Sequence, residues 1–410
     1  MTAEILSVGT ELLLGNIINT NAAFLSQELA GLGVSVYHQA TVGDNHKRLF
    51  FALKTAFETH HADMVVISGG LGPTQDDITK TVAAEYFGRE LVLHEASMQR
   101  IRERFTLHVL PPDVEKNAII PEGAFVLPNN NGCAPGVVIE AGGKILMLLP
   151  GPPHEMQPMF VDYAVPFLQE KSGEVFVSQT LKIIGIGESS VEKMLMDLID
   201  AQTNPTIAPY AKLGDVHVRL TASAKTAQQA KALIAPVYAE IEKRLGENIY
   251  SSDDKTLPEV VIGLLKQHNH TLAVAESSTG GLVMSELVSV AGCSSVLLQG
   301  LCTYANDAKI KRLGVDADII QTHGAVSEQT AAAMAKGAAE TSGTSIGLAT
   351  TGIAGPDGGT ADKPVGLVYF GLYINGKTYV EKRNIIGNRN EVRIRAANIA
   401  MDMLRRKLNA

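Results

Sequence analysis

Three polar, glycine-rich corners in the C-terminal part of this 410-residue chain carry the residues best suited to chemistry: AESSTGG (275 to 281), TYANDAK (303 to 309) and TTGIAGPDGG (350 to 359). Each follows an apolar run that reads as a buried strand, and ligands of α/β proteins bind just past such strand ends. Lys309 lies five residues beyond Tyr304, so a strand end and a helix start can bring an amine and a phenol to one hydroxyl. A partly buried lysine has a lowered pKa and can act as base for a serine without any histidine, which is serine amidase chemistry. Ser278, Thr279, Gly280 and Gly281 run straight into a helix and could aim amide hydrogens at an anion. Taken singly, each corner is equally a tight strand-to-helix turn, Lys309 a solvated helix residue and Tyr304 a core residue. Three corners together, with KPVG (363 to 366) and GNRNEVR (387 to 393), favour a site.

A second set lies near the N-terminus. SGGLGPTQDDIT (68 to 79) puts a glycine loop, with Gly69, Gly70 and Gly72, before paired carboxylates Asp76 and Asp77. The loop amides could cradle a pyrophosphate while the carboxylates hold a divalent metal bridging its oxygens. Asp at a helix start is otherwise a simple cap. GTELLLG (9 to 15), NGCAPG (131 to 136) and LPGPPHEM (149 to 156) add turns, and Glu155 is expected on the same edge.

The elements that must position these residues follow from periodicity. EILSVG, a helix from about Thr20 to Leu32, VSVYHQATVG, a helix from about Asn45 to His60 and MVVISGG form a βαβαβ start, with Gly33 as a helix-ending glycine. Right-handed crossovers predict a parallel sheet with its loops on one edge, followed by the hairpin VVIEAGGKILMLLPG turning at Gly142 and Gly143. Residues 175 to 250 read as a small α/β unit with strands FVSQTLKIIGIGE and HVRLTASA, in which the pair Gly185 and Gly187 could hold a ligand but reads more simply as a plain strand-to-helix turn. Beyond SSDDK (251 to 255), five strands alternate with helices opening after Thr279, Asn306, Ser327 and Asn388. The expected architecture is α/β in three domains: residues 1–170, a connector at 171–254, and 255–410.

Composition sets the bounds. Apolar residues make up 45% and charged residues 19%, a globular balance that excludes a mainly disordered chain. With 38 Gly and only 21 aromatic residues, none of them Trp, the core must be aliphatic. The three cysteines, Cys133, Cys293 and Cys302, are scattered without metal-ligand spacing, so neither a disulfide framework nor a structural zinc site is expected, and a reducing cytoplasm fits. Glu4 and the lack of a basic leading segment make the start a strand and not a signal peptide. The uncharged stretch 287 to 306 is too polar for a membrane span and is expected to be buried core. The net charge of −8 divides into −9 over residues 1–170, −2 over 171–254 and +3 over 255–410, which suits a metal in the first part and an anion in the last.

The C-terminal corners, together with AGCSSVLLQGLCTYANDAK and HGAVSEQTAAAMA, resemble the CinA C-terminal family over about residues 255 to 405. That family includes nicotinamide mononucleotide deamidases, which hydrolyse the carboxamide to nicotinate mononucleotide and ammonia in pyridine-nucleotide salvage. The resemblance implies catalytic positions at Ser277, Ser294, Tyr304 and Lys309. Ser294 or Ser277 would attack, with Ser294 favoured; Lys309 would take the proton, and Tyr304 would relay it or steady the oxyanion. Ser278, Thr279, Gly280, Gly281, Asn306, Gly352, Gly355, Arg389 and Arg393 would bind substrate, the arginines and glycine amides holding the phosphate. No cofactor is implied for this activity. The usual corner reads AESCTGG, and Ser278 stands here at the cysteine, which excludes a cysteine nucleophile at that position.

Residues 3 to 168 resemble the MoaB-like, molybdopterin-binding domain of full-length CinA proteins, and the middle unit their small KH-like domain. The N-terminal resemblance implies metal-dependent ADP-ribose pyrophosphatase activity around Asp76, Asp77 and Glu155, although NGCAPG departs from the usual NPVGTAPG. The family implies a homodimer. The middle unit lacks a basic face, so no nucleic-acid partner is expected, and no membrane partner either. The rival readings are a competence- or DNA-damage-associated binding protein and a molybdopterin-handling protein.

Overall fold

The computed structural model describes residues 1–105 and 113–409. By density of internal contacts the chain divides into two compact units, Met1–Val177 with Thr221–Ala232, and Ser178–Leu220 with Leu233–Ala410. The architecture is mixed α/β throughout.

In the N-terminal unit, β1 (Thr2–Val8), β2 (Ser35–Val42) and β3 (Met64–Ser68) alternate with helices Thr20–Gly31 and His46–Lys54. Both helices begin where the sequence supplies an acceptor. The Asn19 side chain accepts from Ala22 N at 3.1 Å and that of Asn45 from Arg48 N at 3.1 Å, satisfying amides that have no intrahelical partner. The short strands β4 (Leu91–Leu93) and β5 (Ile119–Pro121) pair with one another. The chain then adds β6 (Phe125–Leu127), β7 (Gly136–Ala141) and β8 (Lys144–Leu149). The large sheet is ordered β2-β1-β3-β8-β7-β6, parallel from β2 to β8 and antiparallel beyond. The β7–β8 hairpin turns at Gly142 and Gly143 with φ of 59° and 77°, the pair of positive values that a two-residue turn of this hand requires.

The middle segment forms a four-stranded sheet ordered β10-β11-β9-β12, from β9 (Val175–Ile183), β10 (Thr206–Lys212), β11 (Asp215–Ala224) and β12 (Ile249–Ser251).

The C-terminal sheet is ordered β14-β13-β15-β16-β17, built from β13 (Leu272–Glu276), β14 (Leu297–Cys302), β15 (Ile346–Gly352), β16 (Leu367–Ile374) and β17 (Lys377–Asn384). Strands β14, β13 and β15 are parallel, and β16 and β17 return antiparallel. One face is covered by helices Leu257–Gln267 and Arg389–Leu408, which bury Val261, Leu265, Met401 and Leu404. The other is covered by helix Glu328–Ser342, whose buried positions are mostly alanine. Its backbone can lie close to the sheet only because glycines face it: a Cβ on Gly347 would fall 1.9 Å from Ala335 O, and one on Gly371 2.2 Å from Ala331 O. The alanines and glycines of the composition are thus a packing device.

One expectation is overturned. The stretch 287 to 306 is not buried core, because β14 is an edge strand in which Leu298, Gln299 and Gly300 are exposed, as is Val288 before it. Uncharged residues here line an open edge. No helix among the described residues is long and apolar enough to cross a membrane.

Candidate active site

Strand β13 ends at Glu276, and the chain turns through Ser277, Ser278, Thr279, Gly280 and Gly281 into helix Leu282–Val288. The turn is held from beneath by Glu276. Its buried carboxylate accepts from Gly281 N at 2.9 Å, Val283 N at 3.1 Å and Met284 N at 2.9 Å. A negative group at a helix start satisfies the unpaired amides and complements the dipole. Of the four amides expected to face a substrate anion, that of Gly281 is taken by this internal carboxylate and that of Gly280 by Ser277 O at 3.2 Å.

Above this turn, Lys309 reaches in from helix Asn306–Leu313. It is 1% exposed, and its Nζ lies 3.2 Å from Ser277 Oγ, 2.9 Å from Thr303 O and 3.0 Å from Tyr304 O. None of these partners is a carboxylate, so burial is uncompensated and pushes the amine down to about 8. A neutral amine here donates to the two carbonyls and keeps a lone pair for the Ser277 hydroxyl, which is the arrangement of a nucleophile and its base.

The pair opens into a pocket of about 250 Å³ lined by Ser277, Ser278, Tyr304, Lys309, Gly352, Gly355 and Arg389, together with Ala325, Val326, Thr351 and the Asp357–Gly358 turn. Arg389, at the start of the last helix, donates to Gly355 O at 2.6 Å and lies 3.5 Å from the Tyr304 hydroxyl, so both stand at the rim; Tyr304 is 63% exposed. The Tyr304 backbone carbonyl binds Lys309 while its phenol faces Arg389.

Several expected members lie elsewhere. Ser294 is exposed in the turn Cys293–Ser295 before β14, whereas Tyr304 and Lys309 follow β14's other end. Six strand residues at roughly 3.3 Å each put about 20 Å between the two ends, so the favoured Ser294 lies away from Lys309, and Ser277 is the serine beside it. Thr279 is buried with its hydroxyl 2.7 Å from that of Thr350. Arg393 is committed to Thr279 O through Nε at 3.2 Å and Nη2 at 2.8 Å. Asn306, Gly280 and Gly281 do not line the pocket either. The sequence reading overlooked Glu276, although an acidic residue between a buried strand and a glycine-rich helix start is a signal for such a cap.

The N-terminal loop assembles differently. Gly69 needs its positive φ of 108° and its missing side chain, since a Cβ would lie 2.2 Å from Val8 O. Thr79 closes the loop, donating from Oγ1 to Gly69 O at 2.8 Å and from N to Gly70 O at 3.1 Å. The Thr74 hydroxyl contacts both carboxylates; its hydrogen bond to Asp76 holds that carboxyl below its usual range, and Asp77 accepts from Thr74 N at 2.9 Å. A Cβ on Gly72 would meet the Asp77 carboxylate, so this loop wraps its own acid. Glu155 accepts from Asn129 Nδ2 at 2.7 Å and packs on Gly132. Among the described residues no group of three or more His, Cys, Asp and Glu side chains is arranged to hold a metal ion. Asp76 and Asp77 lie together on Thr74, while Glu155 is held on Asn129. A pocket of about 310 Å³ does lie at the ends of β1 and β3, lined by Ser7, Asn19, Asn21, Ser68 and Gly151, and it takes in none of the three acids.

Comparison with known proteins agrees with the three-part reading. Residues 254–408 match the model described as "CinA C-terminal domain", residues 4–170 that of a "Probable molybdopterin binding domain", and residues 178–251 that of the "Damage-inducible protein CinA KH domain". A CinA-like protein of Kosmotoga olearia is 50% identical over 410 residues, covering 100% of this chain and 99% of its own. The chain belongs to the CinA family. A CinA-like protein of Dictyoglomus thermophilum is 52% identical over the same length, again covering 100% of this chain and 99% of its own. Among solved structures, a competence/damage inducible protein of Agrobacterium tumefaciens is 41% identical, covering 38% of this chain and 94% of its own, with a TM-score of 0.36. CinA of Thermoplasma acidophilum is 35% identical, covering 42% and 96%, with a TM-score of 0.38.

Proposed function

We propose that the C-terminal domain of this CinA family member is a serine–lysine amidohydrolase acting on nicotinamide mononucleotide. The observation that carries the reading is the contact of Lys309 Nζ with Ser277 Oγ at 3.2 Å inside a pocket, with the amine brought down to about 8 by burial. The substrate class comes from the family's deamidases, and Arg389 at the rim is suited to the substrate's phosphate.

In this reading Ser277 Oγ attacks the carboxamide carbon as its proton passes to Lys309 Nζ. The tetrahedral intermediate collapses as the same proton moves to the departing nitrogen, releasing ammonia and leaving an ester of Ser277. Water then adds to the ester carbonyl with Lys309 again as base, freeing nicotinate mononucleotide and restoring the serine. No metal or redox group enters this sequence.

The test is ammonia release from nicotinamide mononucleotide by the purified chain, with Ser277→Ala as control. Turnover in the wild type that disappears in the variant is the expected result. Absence of turnover in the wild type, or its survival in Ser277→Ala, rejects the assignment.

A further inference from the structure

We infer that Asp357 binds the ribose hydroxyls of the substrate, which makes the pocket selective for a ribonucleotide; this rests on the amidohydrolase reading above. Lys309, Arg389 and Asp357 bring an amine, a guanidinium and a carboxylate to the pocket lining. The amine is buried on Thr303 O, Tyr304 O and the Ser277 hydroxyl. Arg389 contacts Gly355 O and the Tyr304 hydroxyl, neither of them charged. The Asp357 side chain has no hydrogen bond or ion pair to any described residue. A cation and an anion that line one pocket without pairing leave both for a ligand.

Asp357 is exposed, yet the loop that carries it is held in place. Its base is closed by Ile353 N donating to Leu367 O at 2.9 Å and Gly366 N to Ile353 O at 2.7 Å. Arg389 grips it at Gly355 O, and Lys363 Nζ ties its far arm to His323 O at 2.7 Å. Asp357 lies two residues beyond Gly355 and so stands at the rim with Arg389, whereas Ser277 and Lys309 are buried. A nicotinamide mononucleotide with its carboxamide at Ser277 and its phosphate at Arg389 has its ribose between them, and its pyridinium ring goes with the carboxamide toward the buried end. The 2′ and 3′ hydroxyls are neighbouring donors, and a carboxylate is an acceptor with two oxygens. An acidic side chain reads the ribose of dinucleotides in the same way.

The sign of the effect separates this role from that of a bystander charge. A carboxylate that only stands near a phosphate repels it, so its removal would lower KM; one that accepts from hydroxyls tightens binding, and its removal raises KM. The experiment measures kcat and KM for ammonia release by full-length wild type, Ser277→Ala and Asp357→Ala, with nicotinamide mononucleotide and with its 2′-deoxy-2′-fluoro analogue, whose fluorine donates no hydrogen bond. In the wild type the analogue should have a KM about tenfold higher. Asp357→Ala should raise KM for nicotinamide mononucleotide by about tenfold or more, keep kcat within about twofold, and treat the two substrates alike within about twofold. That loss of discrimination supports the inference. An equal rise for both substrates, with discrimination kept, overturns it in favour of a contact with the positive ring. An unchanged or lowered KM overturns it in favour of a bystander charge, and a fall in kcat with both substrates in favour of a part in shaping the reacting end. A wild type that does not discriminate between the substrates overturns it as well. In each of these cases, wild-type turnover that Ser277→Ala lacks leaves the amidohydrolase assignment standing. A wild type without activity, equal to Ser277→Ala, overturns the assignment and this inference with it.

Discussion

Two lysines, one in each compact unit, share a local environment and differ in what faces them. Lys309 and Lys80 both sit in the first turn or two of a helix, both are buried, and burial brings both down to about 8. Both donate to two backbone carbonyls, Lys309 to Thr303 O and Tyr304 O, Lys80 to Lys116 O at 2.7 Å and Asn117 O at 3.2 Å. Lys309 has a third contact, a serine hydroxyl that opens on a pocket, while Lys80 lines neither that pocket nor the one at the ends of β1 and β3. A lowered pKa follows from burial alone; what distinguishes a site is a reactive group in reach and room for a substrate.

The comparison breaks most sharply at Lys309. Lys309→Met keeps the apolar stem but removes the base, and ammonia release should fall by about 1,000-fold or more, measured at saturating nicotinamide mononucleotide. Retention of even a tenth of the wild-type rate would leave the two lysines alike and remove the case for a dyad.

The pH profile sharpens the same point. In the proposed reaction Lys309 acts when neutral, so kcat/KM should rise with pH, tenfold per unit, and level off above about 8. At two units below the plateau the rate should be roughly 100-fold lower. A flat profile between pH 6 and 9 would mean that this amine is not the base.

Arg389 comes next. Its guanidinium stands at the rim and away from the Ser277–Lys309 contact, so Arg389→Ala should raise KM by about tenfold with kcat nearly unchanged. A loss confined to kcat would move Arg389 from holding the phosphate to shaping the reacting end.

How far the sequence announced these differences depends on the range of the interaction involved. The βαβαβ start, the glycine hairpin and the five C-terminal strands were legible because they depend on periodicity and turn chemistry within a few residues. Strand β10 was missed, since TIAPYAK carries a proline and only Ile207 of its seven residues is buried. Ser277, Lys309 and the pocket glycines could be read because strand-end corners converge on one sheet edge. Ser294 could not be separated from them, since it precedes the same apolar run that ends at Tyr304, and only the extended length of β14 places the two at opposite ends. The fate of the acids was equally hidden. Glu276 turns inward to a helix start, and Asp76, Asp77 and Glu155 settle on Thr74 and Asn129, through contacts no spacing rule specifies.

The smallest expected effect on catalysis is the most direct test of the contrast. Lys80→Met should leave ammonia release within about twofold of wild type, because Lys80 acts on its own unit's packing and touches no reacting group. Its effect belongs to stability, and the sign is fixed by linkage. The amine binds its proton with a pKa of about 8 in the fold against 10.5 as an unconstrained side chain, so between those values the unfolded chain holds more protons than the folded one. Wild-type stability therefore gains from this group as pH rises from about 8 to 10.5, and below about 8 the buried charge is carried at full cost. Lys80→Met removes that gain, so its urea midpoint should compare more favourably with wild type at pH 7.5 than at pH 10. If the difference between the two proteins is the same at both pH values, Lys80 does not change its proton affinity on folding. If Lys80→Met abolishes ammonia release while remaining folded, the separation between a structural and a catalytic lysine is lost.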